Sequence, residues 1–144
     1  LENRLARPGG LTIRGRAIDL ARIDTPAIFV SAVDDHIAPW RSTFAGAGLG
    51  GAPTRFLLVE SGHIAGVVNP PKPKMKYGWY DNPAAPVGVS ADAWFDGATR
   101  RDGSWWPIWL GALGDLAPMT RVPARTPPRK RFAPAPGDYV RVRA

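Results

Sequence analysis

Two runs of branched and aromatic residues, PAIFVSAV at Pro26–Val33 and TRFLLVE at Thr54–Glu60, constrain the fold of this 144-residue chain more than any other feature. Neither shows the regular polar alternation of a half-solvated strand, so each reads as a strand buried on both faces. About twenty residues separate them, too many for a tight hairpin and enough for a helical crossover. The stretch WRSTFAGAGLGGAP supplies the parts: Ser42 to cap a helix, the glycines at 48, 50 and 51 to end it, and Pro53 beyond. Strand, helix, strand predicts a βαβ unit with parallel strands, and so an α/β fold.

Parallel pairing has a chemical consequence. Both strands must leave the sheet at the same carboxyl edge, where open α/β folds assemble their sites. Asp34–Asp35–His36 follows the first strand and Ser61–Gly62–His63 the second. A carboxylate and an imidazole from two loops would then face each other. Imidazole titrates near neutrality and acts as a general base when a carboxylate holds one of its nitrogens. The order, acid 28 positions before histidine, is that of α/β hydrolases, whose nucleophile comes earlier on a strand-to-helix elbow. Asp35 and His63 are thus the candidate catalytic pair. The competing reading is a turn carboxylate and a core histidine, with Gly62 supplying a positive φ. His36 is a candidate either to hydrogen-bond near the site or to hold its loop, and Asp34 reads as a solvated turn residue. Trp40 would wedge the crossover against the sheet or wall a substrate channel.

The chain has no cysteine, which excludes disulfides, thiolate metal ligands and a cysteine nucleophile within these residues. No metal site is expected. No run of ~18 apolar residues suggests a membrane span, and LENRLARPGG lacks the apolar core of a secretory signal, so the expected setting is cytoplasmic. The first strong strand comes only near Ala27, which suggests the downstream part of a longer protein. Of the net charge of +7, six units lie from Ala117 onward, where seven basic residues meet only Asp138. The excess therefore marks a proline-rich tail rather than a folded basic face, and nucleic acid is not the expected partner. We divide the chain into a catalytic-domain part, 1–116, and a basic tail, 117–144.

Around the central unit, LTIRGRAIDL predicts a hairpin or short strands. The stretch VSADAWFDGATRRDGSWWPIWLGAL predicts two short helices, capped by Ser90 and Ser104, with Pro107 in the first turn of the second. Trp106, Trp109, Leu110 and Leu113 would share a face packed on the core. DYVRVRA would form a short final strand. Two parallel strands alone leave an exposed edge, so the isolated chain is expected to aggregate or to be poorly ordered.

Three motifs together, DDHIAPW (Asp34–Trp40), SGHIAGVVNPP (Ser61–Pro71) and GSWWPIW (Gly103–Trp109), resemble the carboxyl-terminal part of class I-like poly(3-hydroxyalkanoate) synthases. LENRLARPGGLTIRGRAIDLARIDTP resembles the segment leading into the acidic loop of that family. The resemblance implies part of an α/β-hydrolase catalytic domain with a Cys–His–Asp triad. It also implies an acyltransferase that joins (R)-3-hydroxyacyl units from coenzyme A thioesters into polyester and releases CoA. By motif, Asp35 corresponds to the triad carboxylate and His63 to the base. The family's G-x-C-x-G nucleophile has no counterpart here, so this chain alone is expected to be inactive. No cofactor is implied beyond the thioester substrate. The implied partners are the acyl-CoA, the growing polyester, a second copy in a homodimer and the surface of a cytoplasmic polymer granule. Lys72, Lys74, Lys76 and Arg41 are candidate contacts to CoA phosphates, against the reading that such residues are simply solvated. Two other functions compete: the end of a serine esterase or thioesterase, and a non-catalytic module that coats a granule or other surface with its tail and tryptophan face.

Overall fold

The computed structural model describes residues 2–74, 76–84, 86–117, 120, 122–126 and 135–142. Strands β3 (Ala27–Ala32) and β4 (Thr54–Val59) pair in parallel without a register break, from Ala27 opposite Thr54 to Ala32 opposite Val59. Between them runs α1 (Trp40–Ala47). The helix starts three residues earlier than a Ser42 cap requires. The Pro39 carbonyl accepts the amides of Ser42 and Thr43, which places Ser42 inside the first turn. Its end at Gly48 is as predicted. Trp40, Phe44 and Ala47 recur at helical spacing and are its buried face.

The sheet is mixed rather than purely parallel. Beyond β4 it continues with β5 (Trp79–Asp81) and β6 (Thr99–Arg101), both antiparallel to their neighbours, in the order β3-β4-β5-β6. Alternation along β4 divides the core in two. Phe56 and Leu58 join Trp40, Phe44 and Trp94 on the side of α1 and α2 (Ala91–Asp96). Leu57 and Val59 join Ala32, Trp79 and Trp105 on the other side, below α3 (Trp106–Leu116). The last four β4 residues, Phe56–Val59, are fully buried, the hydrophobic centre of the molecule. Asp81, itself buried, takes two hydrogen bonds from Arg55 at 3.1 and 2.6 Å, with Arg101 at 3.6 Å, and so ties β4, β5 and β6 by charge.

The Leu11–Ile18 stretch forms the expected hairpin, β1 (Leu11–Ile13) against β2 (Arg16–Ile18). Arg14 and Gly15 both take positive φ, as a two-residue turn of this twist demands. Ser90 caps α2 by accepting the Ala93 amide, and Ser104 accepts the Trp106 amide just ahead of α3. The face of α3 departs from expectation. Trp105, Trp106 and Ile108 make the core contacts, whereas Trp109, Leu110 and Leu113 stay exposed. The sheet ends at β3 among the described residues, leaving the far half of α3 over an apolar groove of about 490 Å³. The expected final strand is instead a 3-10 turn at Tyr139–Arg141, closed by the Arg141 amide on the Asp138 carbonyl. The centre of the basic tail, 127–134, lies outside the described residues. No described helix is long and apolar enough to cross a membrane.

Candidate active site

The parallel register brings the two loops together. Past the paired strands the Val33 amide still bonds the Val59 carbonyl at 2.9 Å, and the Asp34 amide bonds the Ser61 carbonyl at 3.1 Å. Each loop is then shaped by its own device. After β3, the Asp35 carboxylate folds back and accepts the amides of Ile37 (2.9 Å) and Ala38 (3.0 Å) through one oxygen. These donors, Ala38 foremost, hold its carboxyl below the usual carboxylate range against the cost of burial, with smaller help from His63 and His36. After β4, the residue in the left-handed region is Ser61 (φ 70°), not Gly62, which corrects the role read for that glycine. A helical turn follows, with Gly66 bonding Gly62 and Val68 bonding Ile64. Gly66 must be glycine, because a Cβ there would collide with the Glu60 carbonyl.

Asp35 and His63 meet across these loops. Nδ1 of His63 lies 3.6 Å from Oδ1 of Asp35, an ion-pair distance slightly beyond a hydrogen bond. The carboxylate side chain is only 10% exposed and the imidazole 40%. One ring nitrogen therefore faces the acid on a ring that remains open to solvent. His36 stands beside them, its ring edge-on to His63 at 5.9 Å. Trp40 is not at the pair: it is buried against Phe44 and Phe95. Arg41 lies over the Trp40 ring and pairs with Asp92, so its charge is engaged there.

Two features escaped sequence reasoning. The indole N–H groups of Trp105 and Trp106 both donate to the Val67 carbonyl, at 3.0 and 3.2 Å. The Asn69 amide bridges the carbonyls of Tyr77 and Gly103. The tryptophan motif therefore clamps the segment that carries His63. The motifs were visible in the sequence, but their contact depends on where α3 packs. Glu60, just past the end of β4, accepts the Arg100 guanidinium and the Gly78 amide, and these, Arg100 foremost, hold its carboxyl low against the cost of burial.

No protein-family model matches the chain. Curated proteins do. The poly(3-hydroxyalkanoate) polymerase subunit PhaC of Cupriavidus necator is 40% identical over 147 residues, covering 100% of this chain and 24% of the relative. The poly(3-hydroxyalkanoate) polymerase of Methylorubrum extorquens is 42% identical over the same shares of both chains. The chain belongs, as a segment, to the poly(3-hydroxyalkanoate) polymerase family. PhaC of Rhizobium meliloti agrees, at 42% identity over 146 residues. This polymerase segment spans about a quarter of the length of the curated relatives it matches. Its acid, its imidazole and their clamp all lie within that quarter.

Proposed function

We propose that this chain carries the acid–base half of a polyester synthase that polymerises (R)-3-hydroxyacyl-CoA thioesters. The observation that carries the reading is the Asp35–His63 pair at the shared carboxyl edge, in a chain of this family. The nucleophile is a cysteine outside these 144 residues. With Nδ1 turned to Asp35, Nε2 of His63 takes the thiol proton, and the thiolate attacks the thioester carbonyl. The carbonyl re-forms as the CoA thiolate leaves, taking the proton back from the imidazolium. In the next half-cycle Nε2 accepts the proton of a 3-hydroxyl, whose oxygen attacks the enzyme-bound acyl group and regenerates the cysteine. Asp35 stabilises the imidazolium each time it forms.

The remaining sheet of an α/β-hydrolase fold would continue beyond β3. Apolar space of about 490 and 390 Å³ flanks that strand on its two sides, which supports this reading. A cytoplasmic granule surface and a homodimer complete the proposal. The test is His63→Ala in the full-length polymerase, read as CoA release and polymer formed. We expect turnover to fall by at least about a thousandfold. Retention of a tenth of wild-type turnover would remove His63 from the mechanism. Hydrolysis without polymer from the wild-type protein would make it a thioesterase instead.

A further inference from the structure

The stretch NPPKPKMKY that follows the His63 turn builds a second feature. Pro71 and Pro73 fix their own φ and press the residues before them into extended backbone. Lys72, Lys74 and Lys76 occupy alternate positions in this stretch. All three line one cavity of about 260 Å³, walled by Ala65 and Val68 of the His63 turn and by Tyr77. No carboxylate is among the described residues that line it. Lys76 stands 5.0 Å from the centre of the Tyr77 ring. Hydrogen bonds from Lys76 and then Ser61 draw the Tyr77 phenol below its ordinary pKa. Lysines from three positions line one small space, and an anion of more than one charge placed there is attracted by all of them. The space is smaller than a pocket for a whole nucleotide. It suits a phosphate or diphosphate group.

We propose that the Lys72–Lys74–Lys76 cavity is a phosphate-binding subsite. Resting on the function proposed above, we assign it the nucleotide phosphates of the acyl-CoA thioester whose acyl end reaches His63. A free polyphosphate has the same chemistry, and the experiment separates the two sources. Inorganic pyrophosphate is titrated calorimetrically into the full-length polymerase and into its K72Q/K74Q/K76Q variant. Wild type binds, and the variant binds at least tenfold more weakly; absence of binding to wild type overturns the site whether or not polymer is made. KM is then measured for the same acyl group on CoA and on pantetheine, which lacks the nucleotide phosphates. The variant raises KM for the CoA thioester at least tenfold and affects the pantetheine thioester far less. Loss of pyrophosphate binding with an unchanged KM for the CoA thioester assigns the cavity to free polyphosphate and overturns the thioester assignment. If the triple variant does not fold, Lys74→Gln alone is measured against the same criteria, with a threefold change expected in each.

Discussion

Strands β3 and β4 make an instructive pair. They are equally long, parallel and in continuous register, and both are rich in strand-forming apolar residues. Yet Phe56–Val59 of β4 are 0% exposed, while Ala27–Val30 of β3 are only half-buried. Composition does not separate them; neighbours do. β4 has a strand on each side, whereas β3 is the sheet edge among the described residues. The loops that follow differ as well. The Asp35 loop is held by a carboxylate that can titrate, and the His63 turn by two indoles on one carbonyl.

The site needs both loops, so the largest effect should come from the acid. Asp35→Asn keeps the acceptor for Ile37 and Ala38 but removes the negative charge, and should lower turnover of the full-length polymerase about 10⁴-fold. Turnover within tenfold of wild type would mean that Asp35 only shapes its loop. The strand contrast is tested next by amide exchange. The amides of Ala27 and Val33 face β4, so by alternation those of Ile28, Val30 and Ala32 face the open edge. In the 144-residue chain these three should exchange orders of magnitude faster than the amides of Leu57 and Leu58, and in the full-length polymerase they should become protected. Equal protection in both settings would abolish the distinction between edge and centre. Leu58→Ala should cost about 2–5 kcal/mol by urea denaturation, against about 1 kcal/mol for Val30→Ala in the 144-residue chain.

The loop contrast carries the smallest effect, and its sign follows from the depressed Asp35 carboxyl. The stabilisation it contributes is complete above the unfolded value near about 3.9 and is lost as pH falls through the lower folded value. Amide shifts of Ile37 and Ala38 should therefore titrate below that value. Those of Gly66 and Val68 should stay still over the same range, because no titrating group joins Val67 to its indoles. Co-titration of both loops would show that the two clamps are one unit.

What could be read beforehand follows the same division. The βαβ unit was legible because two buried strands and a glycine-ended crossover admit few arrangements, and parallel pairing then placed Asp35 near His63. The Leu11–Ile18 hairpin and the Ser90 cap were legible from local chemistry. β6 was not: all three residues of Thr99–Arg101 are exposed and none is apolar. It is a strand because it pairs with β5 and because Arg100 and Arg101 reach Glu60 and Asp81. The face of α3 was misjudged for a related reason, since its periodicity marks an apolar stripe without saying what covers it.

Gly66 shows how such a scaffold would look to genetics. A saturation screen scored only by polymer yield would rank positions 63 and 66 together as intolerant. At 63 the loss would be chemical, in a protein whose melting behaviour is unchanged. At 66 every side chain would press on the Glu60 carbonyl and push the histidine turn off the sheet. The second class of loss would be graded by side-chain size, alanine least harmful, and partly rescued at low temperature. Two silent colonies on one plate would thus report on different physics, one on a missing proton acceptor and the other on a missing ångström.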